Sequence, residues 1–310
     1  DLLKHAPVLR EVLVRCDKAM ARWGDWSLIE DLRKTETKSR INETAIAQPA
    51  IFAIQAGLAE LWKSWGVKPV AAVGHSVGEV AAAFASGVLT LEEACRVIFW
   101  RGACMEAAKH QEGKMLAASL TEAEAIELLK DYRGKVNVAA INGPKSVTLS
   151  GDAEPLEEIA ARQPELDHVR ADEEDGDEAR VRRHDPQRAH QAGVTRARRP
   201  RQRCSARQVF NRFLRVSYAF HSHHMNGARA QLLKKLGTVK RRRPAIPVYS
   251  TVSGKLAAAS TFDADYWWKN VRQSVRFAGA IEGLIDEGYR LFVEIAPHPV
   301  LSASISECFE

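Results

Sequence analysis

Residues 68–90 read KPVAAVGHSVGEVAAAFASGVLT, and this stretch decides the fold. The apolar run ending at Gly74 is short and flanked by turn-forming residues, so it predicts a buried parallel strand. The alanine-rich segment from Gly78 onward predicts a helix that can pack closely on a sheet. Between them stands Gly74-His75-Ser76-Val77-Gly78. Glycines on both sides of a serine at a strand-to-helix turn let the two elements approach closely and present the hydroxyl at the helix N-terminus, the context of a nucleophile elbow. There the backbone N–H of Val77 and the helix dipole can stabilise an oxyanion.

Working outward, residues 1–20 and 45–67 carry apolar side chains at helical spacing, with Pro49 tolerated near the start of the second helix. Residues 90–109 predict a further helix, capped by Thr90 with Glu92 and Glu93 in its first turn. After Gly113 the period changes. Residues 114–120 alternate as a strand, 121–132 form a capped helix, 135–144 and 146–152 are strands about a Gly-Pro turn, 153–162 is a helix and 212–221 a strand. This β-α-β-β-α-β order predicts a ferredoxin-like small subdomain over 114–221. A helix at 227–237, a strand at 246–254, helical residues at 266–288 and a strand at 290–297 then resume the first pattern. The expected architecture is therefore α/β: a large parallel-sheet subdomain formed by 1–113 and 222–310, with the small unit inserted. Residues 163–209 fit neither part. An acidic block is followed by an arginine block, lysine is absent from 146 to 233, and the segment predicts a disordered, charge-segregated insert or a stretch translated out of frame.

The chain has 310 residues, 45% hydrophobic, with a formal net charge of +6. Outside the arginine block its basic residues are dispersed, which argues against a nucleic-acid partner. The five cysteines show no C-x-x-C pattern, so they predict neither a disulfide frame nor a zinc site and point to a reducing compartment. No apolar run reaches the length of about 18 residues needed to span a bilayer, and the N-terminal sequence has no signal-peptide character, so no membrane partner and a cytoplasmic location are expected.

A serine nucleophile needs a base. His221, His223 and His224 fall in YAFHSHHMNG at the end of the small subdomain's last strand, and His298 falls in APHPV. His221, at a strand terminus facing the cleft, is the best placed. His223 and His224 are expected to cap or decorate the following helix. No carboxylate or cysteine stands near them in sequence at ligand spacing, so no metal is expected.

GHSVGE, RVIFWRGACM, INGPKSVTLSGD, VSYAFHSHHM, IPVYSTVSG, YWWKNVRQSVRF and FVEIAPHPVL, in this order and spacing, resemble the acyltransferase domain of type I polyketide synthases, a relative of the malonyl-CoA:acyl carrier protein transacylases. The resemblance spans nearly the whole chain outside 163–209. It implies an α/β-hydrolase-like core with an inserted ferredoxin-like subdomain, and an extender acyl group passed from acyl-CoA to the phosphopantetheine thiol of an acyl carrier protein by a ping-pong route. No bound cofactor is implied. The partners implied are acyl-CoA, the carrier protein and neighbouring synthase domains. Ser76 matches the family's acylated nucleophile and His221 its base. Asn270 matches the position whose carbonyl completes the pair, and Arg101 the arginine that grips a malonyl carboxylate. Gln48 and His75 match residues lining the same pocket. Val77, Tyr218 and Phe220 match positions that vary with the extender: Tyr218-Ala219-Phe220-His221 is a hybrid of the malonyl and methylmalonyl patterns, and the volume of Phe220 favours malonyl.

The family also opens with a strand and a G-Q-G-x-Q loop that Asp1 onward does not supply, so the resemblance implies a fragment of a longer polypeptide short of one oxyanion donor. A competing reading is an α/β-hydrolase esterase or thioesterase using Ser76, His298 and either Asp263 or Asp286. A non-catalytic carrier-docking module is the third.

Overall fold

The helical spacing upstream of the elbow builds the layer on which the elbow rests. In the computed structural model, which describes residues 2–35, 37–109, 113–162, 211–214, 216, 218–258 and 260–309, the chain opens with α1 (Leu2–His5) and α2 (Pro7–Met20). A short helix without a sequence-periodicity signal, α3 (Leu28–Arg33), follows, its first turn closed by Ser27, whose hydroxyl accepts from the Glu30 N–H. Helix α4 (Thr44–Ser64) leads to strand β1 (Ala72–Val73), the elbow, α5 (Gly78–Ala85) and α6 (Leu91–Ala107). Thr90 caps α6 by accepting from the Glu93 N–H at 3.2 Å, the bond its sequence predicts. Leu13, Cys16, Phe52, Ala53, Ala56, Val97 and Ile98, from α2, α4 and α6, share one buried core with Val80 and Ala83 of α5.

The small sheet contains β2 (Gly113–Ala118), β3 (Val136–Gly143), β4 (Ser146–Asp152) and β5 (Asn211–Phe213), with α7 (Glu122–Leu128) between β2 and β3 and α8 (Ala153–Arg162) after β4. These four strands are antiparallel neighbours in the order β5-β2-β4-β3. Thr121 and Glu124 form a reciprocal capping box at the start of α7. Leu116, Val147, Leu149 and Leu156 fill the core of this layer.

The chain then runs through a 3-10 segment (His223–Ala228), α9 (Arg229–Leu236), β6 (Val248–Ser250), β7 (Lys255–Leu256), α10 (Ala264–Arg272), β8 (Val275–Arg276), α11 (Phe277–Asp286) and α12 (Ser302–Glu307). Strands β1, β6 and β7 form a second sheet in that order, β1 and β6 parallel and β6 and β7 antiparallel.

Four elements differ from the sequence expectation. Strand β1 is only two residues long. Residues 266–288 are not one helical run: β8 interrupts them and adds a fifth strand to the small sheet, parallel to β3 through Ala140 and Ile141. Of the described residues among 212–221, the first two are in strand β5, and Leu214 still donates to the Met115 carbonyl at 2.9 Å. Residues 290–297 form no strand, and Leu291 is 87% and Val293 51% exposed. Apolar alternation makes a strand only where a neighbour satisfies the backbone, and among the described residues β1 is the edge of its sheet. The predicted insert, 163–209, lies outside the described residues. Among the described residues no helix is long and apolar enough to cross a membrane.

Gly74 marks how tightly strand and helix meet. A Cβ at this position would lie 2.3 Å from the Gly78 carbonyl carbon and oxygen and 2.4 Å from the Glu79 nitrogen. These are backbone atoms that no side-chain rotation can move. Gly74→Ala should therefore cost about 3 kcal/mol or more of stability, read as a lower urea midpoint at unchanged m-value.

Candidate active site

Ser76 sits at the tip of the elbow with φ +51°, a left-handed conformation that a non-glycine residue holds only when its surroundings enforce it. The enforcing bonds are local: Gly78 N–H donates to the His75 carbonyl at 2.9 Å and Glu79 N–H to the Ser76 carbonyl at 3.1 Å. The hydroxyl Oγ lies 2.8 Å from His221 Nε2. His221 also has a left-handed backbone, φ +58°, and its Nδ1 lies 2.9 Å from the Gln273 carbonyl oxygen. A carbonyl can only accept, so Nδ1 carries the proton and Nε2 is the acceptor that faces the serine.

That carbonyl corrects the role expected of Asn270. Gln273 terminates α10 in an extended conformation, so its carbonyl continues no helix and is free to serve the imidazole. Asn270, one turn earlier, is buried and points elsewhere: its Nδ2 donates to the Ser76 carbonyl at 3.2 Å and its Oδ1 accepts from Arg101.

Arg101 is 1% exposed. Its Nε donates to Asn270 Oδ1 at 2.9 Å, Nη1 to Gln48 Oε1 at 2.5 Å and Nη2 to Ser76 Oγ at 3.1 Å. All three acceptors are neutral. Gln48 is held from behind, its Nε2 lying 3.3 Å from Met105 Sδ. Burial lowers the Arg101 pKa to about 10, so the guanidinium remains cationic at neutral pH. Burial first, and then the Arg101 charge, hold His221 down to about 3. The imidazole is thus neutral and competent to accept a proton from the serine.

Beneath the elbow lies Glu79, one helical turn after Ser76 and fully buried. Its Oε1 accepts from the Thr251 N–H and from Thr251 Oγ1 at 2.7 Å, and its Oε2 from Tyr266 Oη at 2.6 Å and Asn270 Nδ2 at 2.9 Å. Burial holds its carboxyl above the usual carboxylate range, and these donors offset only part of that rise. Glu79, Thr251, Tyr266 and Gln273 carry no sequence label as site residues. The one available signal was a carboxylate set inside an otherwise apolar, alanine-rich run.

Comparison with known proteins shows the family. The chain matches the family described as "Acyl transferase domain" over residues 1–197 and 183–310. The chain belongs to this family. It is 34% identical to erythronolide synthase EryA2 of Saccharopolyspora erythraea over its full length and 32% identical to mycoketide-CoA synthase of Mycobacterium tuberculosis. It spans only 8% and 6% of those proteins. Among solved structures, the acyltransferase domain from module 8 of the salinomycin polyketide synthase superposes with a TM-score of 0.79 at 32% identity, covering 97% of this chain and 61% of that one. A loading acyltransferase from the avermectin synthase gives 0.79 at 29% identity, covering all of this chain and 85% of that one. The protein is an acyltransferase with mixed α/β sheets.

The other residues singled out in the sequence lie around this cluster. His75 Nε2 lies 2.8 Å from Asn142 Oδ1 of β3, and its ring meets Phe277 edge-on at 5.3 Å. Tyr218 and Phe220 stack at 5.2 Å, and Lys109 Nζ donates to Tyr218 Oη at 3.1 Å. Val77 opens α5 in helical conformation. The hydrolase reading finds no triad: His298 is exposed, Asp263 caps α10 by accepting from the Tyr266 N–H, and Asp286 ends α11, while the serine's histidine is His221. His223 and His224 correct another expectation. The fold brings them a carboxylate, Asp152 at the end of β4, whose Oδ1 lies 3.1 Å from His223 Nε2 and 2.7 Å from His224 Nε2. Spacing hid this because β4 lies distant in sequence. Each of the three side chains offers one ligand atom, all within 4.8 Å of one another, a grouping that could hold a metal ion, and their contacts tie the turn bearing His221 to the small sheet.

The depressed imidazole has a direct signature. In nitrogen-resolved NMR, His221 should stay neutral with Nδ1 protonated at pH 5, where an unperturbed histidine of ordinary pKa 6.5 is charged. Because the unfolded chain takes up that proton first, this residue's contribution to stability is present above pH 6.5 and is lost as pH falls toward about 3.

Proposed function

We propose that this acyltransferase moves a malonyl-type extender unit from coenzyme A to the phosphopantetheine thiol of an acyl carrier protein, through an acyl ester on Ser76, within a polyketide synthase. The observation that carries this reading is Arg101. A guanidinium sealed from water beside a nucleophile, its N–H groups meeting only neutral oxygens among the described residues, is an expensive arrangement unless a carboxylate arrives to pair with it. A neutral ester offers no such partner; the free carboxylate of a malonyl group does.

The steps follow from the geometry. Ser76 Oγ attacks the thioester carbonyl while its proton passes to His221 Nε2, 2.8 Å away. The Val77 N–H at the start of α5 stabilises the developing oxyanion. Collapse breaks the C–S bond, and the departing CoA thiolate takes the proton from the imidazolium, which Gln273 O has held in orientation. The carrier thiol then repeats the sequence in reverse, releasing Ser76. Pairing of Arg101 with the substrate carboxylate also relieves the positive charge that depresses His221, so the base strengthens when the matching acyl group is in place. Thioester exchange is redox-neutral, and acyl-CoA enters as substrate rather than as a resident cofactor.

In this reading the β5-β2-β4-β3 sheet with α7 and α8 is the ferredoxin-like small subdomain, and the helical layer with β1 and β6 belongs to an α/β-hydrolase-like core. Phe220, stacked on Tyr218 beside the base, occupies volume an α-methyl group would need, which favours malonyl over methylmalonyl. The polyketide synthases among its relatives support the carrier protein and adjoining synthase domains as partners.

Intact-protein mass spectrometry after mixing with malonyl-CoA should show a malonyl adduct that is absent in Ser76→Ala and forms about 10²-fold more slowly in Arg101→Ala. No adduct from the native protein, with hydrolysis of a neutral ester instead, would replace this reading with the hydrolase. Phe220→Ser should raise the methylmalonyl-to-malonyl ratio of acylation rates about tenfold, the scale of one methyl group in a tight pocket.

A further inference from the structure

We infer that Glu79 is a positioning residue for extender recognition: it fixes the orientation of the Asn270 side-chain amide, and through it the aim of the Arg101 guanidinium. The inference rests on the reading of Arg101 as the carboxylate grip. An asparagine amide can sit in either of two flipped orientations, and only one presents Oδ1 to Arg101 Nε. Two acceptors select that orientation by claiming Nδ2, namely Glu79 Oε2 at 2.9 Å and the Ser76 carbonyl at 3.2 Å. With Nδ2 committed, Oδ1 stands 2.9 Å from Arg101 Nε, and the guanidinium plane is set so that Nη2 reaches Ser76 Oγ at 3.1 Å.

The chemistry requires a carboxyl group and not an amide at position 79. Both of its oxygens face an N–H that can only donate: the Thr251 backbone N–H on Oε1 and the Asn270 amide on Oε2. Glutamine has one oxygen. It satisfies one of these donors and turns its own NH₂ against the other, leaving a buried donor–donor contact. Two hydroxyls, each with one proton to give, complete the surroundings of the carboxyl. Tyr266 Oη, 2.6 Å from Oε2, is backed by Ser250 Oγ at 2.8 Å, and Thr251 Oγ1, 2.7 Å from Oε1, also reaches the Gly74 carbonyl at 3.0 Å. The same carboxyl thus ties the strand before the elbow, the segment after β6 and helix α10 to the turn that carries the nucleophile.

A residue that only held the fold together would weaken every acyl transfer alike, whereas one acting through Arg101 weakens transfers that use a free carboxylate. The test compares Ser76 acylation from malonyl-CoA with the slower acylation from acetyl-CoA, which has no carboxylate. In Glu79→Gln the malonyl-to-acetyl ratio of kcat/KM should fall about tenfold or more. The double variant Glu79→Gln/Asn270→Ala should lose no more of that ratio than Asn270→Ala alone, because both changes break one chain of bonds. Asn270→Ala by itself, which leaves the Thr251 and Tyr266 donors to Glu79 in place, should show the same fall and serves as the deciding variant if Glu79→Gln does not fold. An unchanged ratio in the variant measured, or additive losses in the double variant, would overturn the inference. Failure of the native protein to acquire any malonyl group on Ser76 would instead remove the reading on which it rests.

Discussion

The site is organised around a cation kept out of water. Burying a guanidinium is costly unless each N–H finds an acceptor, and here the acceptors come from three separate elements: Gln48 on α4, Asn270 on α10 and Ser76 on the elbow. Those elements must therefore be in place before Arg101 is tolerable in the core. The alanine-rich faces that pack α5 against its neighbours, and the absence of a side chain at Gly74, bring the elbow close enough for the third of these bonds. Position and charge then act together. The guanidinium that orients near the serine also helps burial to depress the histidine, so the imidazole facing the serine hydroxyl is neutral.

Backbone strain has the same origin. Ser76 and His221 both hold left-handed φ values, at a cost of order 1–3 kcal/mol each. Each is bracketed by bonds that leave no relaxed alternative. For Ser76 these are the Glu79 N–H and the Asn270 amide on its carbonyl. For His221 they are the Gln273 carbonyl on the ring and the following Ser222, whose hydroxyl donates to the Ala219 carbonyl at 2.6 Å and accepts from the His224 N–H at 3.2 Å. The two strained residues meet hydroxyl to imidazole at 2.8 Å.

Much of this was legible in the sequence where local rules decide. Gly74-His75-Ser76-Val77-Gly78 announces its own turn, because only glycines permit that approach. Thr90 and Thr121 announce the starts of α6 and α7 through cap chemistry that acts within one turn. The alternation between Gly113 and Asp152 yields β2, β3 and β4 because each finds a partner in the next. What local rules do not decide was misread. Residues 290–297 have a strand's alternation and, among the described residues, no neighbouring strand. Val275 and Arg276 look like the middle of a helical run, yet β3 claims them. Gln273 serves the histidine with its main chain, which every residue type shares, so no side chain could reveal it. Asp152 meets His223 and His224 only after the small sheet has folded.

The join between the two sheets explains why the Ser76–His221 pair belongs to neither. His221 follows β5 of the small sheet, while the carbonyl that orients it lies at the end of α10, after the second sheet. Were these attached only through their own layers, a sub-ångström slide of one sheet past the other would break the serine–histidine bond. The fold removes that freedom directly after Gln273. Ser274 Oγ donates to the Val138 carbonyl at 2.6 Å, Val275 and Arg276 pair with β3 as its parallel neighbour, and the Arg276 N–H reaches back to the Thr251 carbonyl at 2.6 Å. Thr251 is in turn the residue that donates to Glu79 beneath the elbow. His75, beside the nucleophile, bonds Asn142 on the same strand β3. Strand β3 is thus the common reference to which His75, beside Ser76, and the segment directly after Gln273 are both fixed, the latter through the register of a two-residue strand, β8.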